Sequence, residues 1–340
     1  MRSRARSAGL MIGILADAVL ADPRRGHPVA GFGALAGALE RRLYRDSVPA
    51  GAGYAAILVG ATVGAGVLVE RARLPPAARV AATAVGTWAV LGGTSLVREG
   101  EALARALDAD DPVSARARVS HLCARDPELL DVAGMARAGV ESLAENTSDA
   151  VVGPLVWGAL AGLPGLLGYR AVNTLDAMVG YRSPRYHRFG RIPARLDDLV
   201  NLLPARVTAL VTVAVAPLVG GSPRAALRAW RRDAAGHPSP NAGPVEATVA
   251  GALGLQLGGS TRYAYGTEER PSLGEGPVPA VADLHRVARL SRLVAGAVGL
   301  LAVGAVALRD AACCPAPAVD HGWRRWRDRV GGTALPRAAR

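Results

Sequence analysis

The sequence predicts an all-α, polytopic integral membrane protein, with about four to six apolar helices plus amphipathic cytosolic helices. Three observations lead to this. Half of the 340 residues are hydrophobic while only 4% are aromatic, so small and aliphatic residues dominate, as in closely packed helices within lipid. Apolar runs recur, and Ser47–Val69 carries no charge over a length that crosses a bilayer as a helix. The stretches between them show amphipathic, helical spacing. The alternative is a soluble all-α protein with buried helices.

Taken in order, Ala8–Ala21 is the weakest apolar run. Arg2, Arg4 and Arg6 before it imitate a signal peptide, but Asp17 interrupts the run and Asp22-Pro23 stands where a cleavage region would be. It is therefore expected in the mature protein. Val80–Val97 follows Ser47–Val69 across Glu70–Pro76, whose prolines imply a turn and a helical hairpin. Arg98–Asp149 reads as amphipathic helices with Leu103, Leu107, Val119, Leu122, Leu129, Leu130 and Met135 inward. Asp111-Pro112 and Asp126-Pro127 mark helix starts. Ala150–Tyr169 is apolar but holds Pro154 and Pro164. A simple crossing there would put the polar strings that flank it on opposite faces. A broken or re-entrant element buried in protein would return them to one face. Val207–Val219 and Leu293–Leu308 are shorter apolar runs, and Pro271–Pro279 reads as a loop. Gly60/Gly64, Gly158/Gly162 and Gly254/Gly258 have a spacing that lets helices approach closely. Residues 1–310 read as one membrane-embedded domain and 311–340 as a basic tail.

The net charge is +12, and all 40 basic residues are Arg; the chain has no Lys. A Walker A loop and Schiff-base chemistry are thereby excluded, since both need Lys. Arg is spread through every polar segment without aromatic interleaving, which argues against nucleic acid and for solvated loops or anionic lipid headgroups. Because Arg flanks nearly every apolar run, the positive-inside count leaves orientation open. Cys123, Cys313 and Cys314 form neither a metal-ligand spacing nor an even disulfide framework.

Four polar strings could carry chemistry. In Glu141–Asp149, the acids Glu141, Glu145 and Asp149 step by four and share a helical face. Their repulsion calls for a cation opposite, and stacked carboxylates suit Mg²⁺. The plainer reading is an acidic helix face with Thr147 or Ser148 capping the next helix. The second string, Tyr169–Asp176 with Gly180-Tyr181-Arg182, sets Asn173 and Asp176 three apart in an apolar pattern. The third, Arg195–Asn201, repeats that spacing in reverse with Asp198 and Asn201. Both strings suit either helix caps and Arg–Asp pairs, or a phosphate-handling site of Arg clamps and metal-binding acids. The fourth, His237–Gly243, is stiffened by two prolines and presents His237, Ser239 and Asn241, or else caps a helix over Val245–Leu257. Asp22-Pro23 with His27-Pro28 is a weaker, turn-like companion. No zinc spacing or Ser-His-Asp order is present.

Together these strings resemble the CobD/CbiB-type cobalamin-biosynthesis family, the adenosylcobinamide-phosphate synthases. The likeness begins at Leu15-Ala16-Asp17, Asp22-Pro23 and His27-Pro28-Val29, and continues through Glu141–Asp149, Val151–Trp157, Tyr169–Arg182 and Ala194–Ala205. It runs on through His237–Gly243, Glu246-Ala247 and Leu257-Gly258-Gly259, so it covers roughly residues 10 to 310 in order. Several long strings in the right order are more specific than any short motif. This chain has Pro244-Val245-Glu246 where the family tends to Trp-Pro-Glu, and Thr267–Pro279 and the tail match nothing familiar.

The resemblance implies a multi-pass enzyme of the cell inner (plasma) membrane. It would join adenosylcobyric acid to aminopropanol or its phosphate through an amide, using ATP, and leaves room for other cobalamin-assembly enzymes as partners. Residue roles come from the chemistry, since an inert carboxylate must first be phosphorylated. Glu145, Asp149, Asp176, Asp198 and His237 are the catalytic candidates. Asn146, Arg170, Asn173, Arg182, Arg195, Asn201, Ser239 and Asn241 are the substrate contacts. Glu141, Glu145 and Asp149 are the candidate Mg²⁺ ligands. The rival is a non-enzymatic membrane transporter or regulatory sensor of related fold.

Overall fold

The computed structural model describes residues 2–23, 25–181, 183–263 and 266–313, almost wholly as α-helix. Arg182 and the tail beyond residue 313 lie outside the described residues.

The N-terminal helices are α1 (Arg2–Leu20), α2 (Pro28–Leu43), α3 (Val48–Arg71) and α4 (Pro76–Val90). Proline opens three of them, in the first turn where no N–H is needed. The second apolar run divides at Leu91-Gly92, and its last residues begin the amphipathic α5 (Gly93–Asp108). Helix α6 (Pro112–Leu122) starts as expected, with the Asp111 carboxylate accepting from Ser114 N–H at 3.0 Å. Of the expected inward residues, Leu103, Val119, Leu122, Leu130 and Met135 are buried, Leu107 packs against the same core, and Leu129 is exposed.

Neither Thr147 nor Ser148 caps a new helix after α7 (Val132–Thr147). Helix α7 runs on through a π turn, Ser148–Val152, into α8 (Gly153–Val179). Helix α8 is broken at Gly162, which has φ 67°, just before Pro164. The chain turns back there. Gly158 lies against Leu166, Gly153 against the Tyr169 ring, and Asn173 hydrogen-bonds Asp149, pairs that straddle the Gly162 break. The apolar segment is thus a re-entrant helical hairpin whose two polar ends meet. Its apex is held by Glu70, which accepts Leu163 N–H at 3.0 Å and pairs with Arg6 at 2.8 Å. Arg309 donates to the Leu160 carbonyl on the other limb.

Helix α9 (Arg191–Val215) starts well before the apolar run expected at Val207 and carries the Arg195–Asn201 string within it. Helices α10 (Pro223–Asp233) and α11 (Ala242–Leu253) follow, the latter ending before the expected Leu257. Strands β1 (Leu257–Tyr263) and β2 (Gly266–Leu273) then pair antiparallel. The expected loop at Pro271–Pro279 is therefore partly strand. Its Pro271 falls where the register shifts between Leu257 and Gly259, an irregularity of the kind where strand prolines are found. Helix α12 (Val281–Cys313) closes the described chain.

Among the described residues, five helical stretches have the length and apolarity to cross a membrane: Val48–Arg71, Pro76–Asp108, Val132–Val179, Arg191–Val219 and Val281–Arg309. Large apolar side chains on them face outward, including Ile57, Leu68, Val85, Leu160 and Leu300. Such a surface suits lipid and not water. Inside, one core cluster joins α1, α4, the hairpin apex and the end of α12, and a second joins α2, α3, the end of α8 and Phe189. The largest binds α5 to α7, α11, the strands and the first half of α12 into a lobe at the hairpin's open end. Close helix approach uses Gly66 against Pro164 and Gly168 against Val63, while Gly60 and Gly64 face open space.

Candidate functional site

The open end of the hairpin sits about 20 Å from its apex at 1.5 Å rise per residue. There the π turn, the second limb of α8 and the first half of α9 converge. Asn173 Nδ2 donates to Asp149 Oδ2 at 3.3 Å and to Asp197 Oδ1 at 3.4 Å. Asn201, 1% exposed, donates to Asp197 Oδ2 at 2.9 Å and accepts from the Tyr169 hydroxyl at 2.7 Å. Arg170 donates to Asn173 Oδ1 at 3.3 Å. On the lobe side, Asn241 donates to the Asp198 carbonyl at 2.7 Å and accepts from Arg206 at 3.0 Å. Between these groups is a small polar pocket of about 30 Å³ lined by Glu145, Ser148, Asp149, Asp197, Asp198, Asn201, Ser239 and Asn241.

Most of the candidates from the sequence therefore gather, with changes in partnership. Asn201 and Asn173 both bind Asp197, not the Asp198 and Asp176 that the three-residue spacing suggested. Four residues, one helical turn, put Asp197 beneath Asn201. Asp176 lies one turn beyond Asn173, outside the pocket lining. Asn146 turns back on its own helix, donating to the Ser142 carbonyl and hydroxyl at 2.9 Å. Arg195 is exposed and away from the pocket. Ser239 lines the pocket while its hydroxyl accepts from Asn241 and Ala242 N–H, which caps α11.

The expected three-acid metal site is not formed. Glu141 is buried and its oxygens are committed elsewhere, one to Arg125 and the other to Gly258 N–H at 2.8 Å. Among the described residues no three His, Cys, Asp or Glu groups stand close enough to share an ion. The pocket's chemistry still fits a hard cation. Four carboxylates border one small space, and the repulsion between like charges there favours a cationic ligand. Mg²⁺ keeps several waters and shares its sphere with phosphate oxygens. Glu145, Asp149, Asp197 and Asp198 would face a Mg²⁺ carried in with phosphate through its waters, and do not themselves form a set of three or more protein ligands.

His237 faces away from this pocket. Its Nδ1 lies 3.1 Å from Ser239 N–H and 3.2 Å from the Ser239 carbonyl, and its Nε2 is 4.0 Å from Glu246 Oε2. Burial lowers the His237 pKa. Burial, with Glu141 and Glu145 nearby, raises that of Glu246 well above the carboxylate range. Both shifts act in the same direction, favouring the uncharged imidazole and the protonated carboxyl.

Sequence reasoning passed over Asp197 and Tyr169 although both stand in the quoted strings. It also underrated the N-terminal companion. Asp22 accepts from His27 Nε2 at 3.3 Å, and His27 Nδ1 accepts Val29 N–H. Gly92 is flanked by both Asp22 Oδ2 and the Arg170 guanidinium, which draws the Asp22–His27 turn to the edge of the acid cluster. The pairing of His27-Pro28 with Asp22-Pro23 was the available signal.

The chain matches the family model described as CobD/Cbib protein over residues 10–291. It is 55% identical over 299 residues to the "Cobalamin biosynthesis protein CobD" of Mycobacterium tuberculosis, covering 88% of this chain and 95% of that one. It is 42% identical over 291 residues to the protein of the same name from Chromobacterium violaceum, covering 83% of this chain and 90% of that one. With the Geobacter metallireducens protein of that name, identity is 41% over 285 residues, covering 82% and 90% respectively. No solved structure matches the chain. The strings that meet at the hairpin's open end all lie within the matched span, and this multi-pass helical membrane protein belongs to the CobD/CbiB family of cobalamin biosynthesis.

Proposed function

We propose that the chain is an ATP-dependent ligase that joins the free carboxylate of adenosylcobyric acid to the amine of aminopropanol or its phosphate, at the inner (plasma) membrane. The observation that carries this reading is the meeting of Asp149, Asn173, Asp197 and Asn201, from three helical segments, around one polar pocket flanked by Arg170 and Arg206. A structural set of Asp–Asn bonds would not need four carboxylates at a pocket rim.

In the reaction, a corrinoid carboxylate oxygen attacks the terminal phosphorus of ATP, the bond to the ADP oxygen breaks, and an acyl phosphate forms. The amine nitrogen then attacks the acyl carbon, the C–N bond forms, and inorganic phosphate leaves. Arg170 and Arg206 suit the phosphate charge, since guanidinium forks match phosphate oxygens. Asp149 or Asp197 accepts the proton lost by the ammonium group. Bound Mg²⁺ would neutralise charge on the phosphates beside the acid pocket. Asn173 and Asn201 keep the two carboxylates oriented.

The test is a mass-spectrometric assay of purified protein with ATP, Mg²⁺, adenosylcobyric acid and each amine. Amide product and ADP are expected together, each dependent on both organic substrates. Product undiminished without ATP and metal would overturn the acyl-phosphate route. Transfer of labelled corrinoid across vesicles with no new amide would favour a transporter.

A further inference from the structure

The acid pocket is far smaller than the roughly 300–1,000 Å³ of ordinary ligand sites. A second cavity, about 480 Å³, lies across the His237–Gly243 loop and is lined by Arg206, Trp230, Arg231, His237, Pro240 and Pro244. Its character is opposite: two guanidiniums and an indole, with no carboxylate in the lining. Asn241 forms part of the partition between the two. Its amide lines the acid pocket and donates to the Asp198 carbonyl, while its oxygen takes the N–H of Arg206 from the cationic side. Neighbouring Arg232 is paired with Asp233 and Glu275, whereas neither Arg206 nor Arg231 meets a carboxylate among the described residues. Arg206 instead donates to neutral oxygens of Asn241 and Leu202. Two cations without acids and a half-buried indole, on stiff proline walls, suit a ligand that is anionic at one end and flat and aromatic at the other.

We propose that this cavity binds the adenine nucleotide, with the base on Trp230, the phosphates at Arg206 and Arg231, and the terminal phosphate directed past Asn241 to the acid pocket. The placement rests on the ATP-dependent reading above. It also accounts for nucleotide binding in a chain without Lys, where Arg must neutralise the phosphates. The 400 Å³ cavity lined by Ile14, Asp17, Leu155 and Ala295 is mostly apolar and touches the end of α7 through Thr147 and the π turn through Val151, not through Asp149.

The test uses the full chain in detergent or nanodiscs, with 8-azido-ATP as photoprobe and steady-state constants for ATP, corrinoid and amine. Label is expected in the peptide around Trp230 and Arg231. Arg206→Gln and Arg231→Gln should each raise the KM for ATP about tenfold or more and leave the corrinoid KM within twofold. Arg231 is exposed, so its variant does not depend on refolding a core. Trp230→Phe should hold ATP far better than Trp230→Ala. Label mapping elsewhere with parent-like ATP constants would overturn the placement alone. Amide formation by the parent protein without any nucleotide would overturn the ligase reading and the placement with it.

Discussion

Replacing Gly162 by Ala tests whether the re-entrant hairpin builds the site. Gly162 has φ 67° and ψ −146°, a conformation nearly confined to glycine, and forcing Ala into it costs about 1–3 kcal/mol. The new Cβ would also collide with the Glu70 carboxylate and the Arg6 guanidinium. Pushing Glu70 away removes its charged hydrogen bond to Leu163 N–H, a further 1.5–3 kcal/mol or so. The sum is roughly 2.5–6 kcal/mol, on the order of a 4–8 °C fall in Tm for a chain of this length. Gly60→Ala is the matched control: its Cβ meets nothing within 4 Å, and Ala favours helix over Gly by up to about 1 kcal/mol. The assay is thermal unfolding in detergent followed by size-exclusion chromatography. Because both limbs carry pocket residues, turnover at temperatures where Gly162→Ala stays folded should fall as well, since a misplacement near 1 Å costs about a hundredfold. If Gly162→Ala melts with Gly60→Ala and turns over like the parent, the apex does not hold the site.

Asp149→Asn and Asp197→Asn should each lower turnover by about a hundredfold, the scale of a lost transition-state charge contact, with little change in Tm; Glu128→Gln, at an exposed acid, should match the parent. Near-parent rates in both folded Asn variants would remove them from the chemistry. Glu246 binds its proton more tightly folded than unfolded, so its contribution to stability is full below its ordinary value of 4.5 and declines as pH rises through the higher folded value. Glu246→Gln should therefore flatten the alkaline fall of Tm, and melting curves parallel to the parent from pH 5 to 9 would exclude the assignment. The protein should stay with membranes through high-salt and carbonate washes, given five spans of transmembrane length; release as a detergent-free monomer would contradict that.

The helical architecture was legible because uncharged runs such as Ser47–Val69 declare themselves by composition, and the prolines in Ala150–Tyr169 announced a break. The site was legible as strings but not as partnerships. Spacing joined Asp198 to Asn201, yet which neighbouring acid faces inward depends on how α9 is rotated, and one string does not fix that rotation. Glu141 looked like a third metal ligand because an α-helix stacks every fourth residue; its buried partners Arg125 and Gly258 come from distant segments that periodicity cannot see. The β-hairpin was missed because Gly258, Gly259 and Pro271 are residues that weaken a strand signal; Leu257 and Leu273, both fully buried, are its few apolar anchors.

The π turn explains why acids from one helix reach different places. A continuous α-helix from Val132 would keep Glu141, Glu145 and Asp149 in one row, and all three would face the lobe. The wider turn at Ser148–Val152 changes the register within that row, and such turns often occur at functional sites. Glu141 stays with Arg125 in the lobe, Glu145 borders the pocket, and Asp149 is presented to Asn173 on the returning limb. The turn is fixed from two sides, by Thr208 to Ser148 at 3.1 Å and by Thr147 to Ser291 at 2.8 Å. Helices α9 and α12 therefore set the register of the acids as much as the helix that carries them. A single apolar segment, broken once at Gly162 and widened once before Gly153, can in this way bring polar strings from both of its ends to one pocket and leave its length to the membrane.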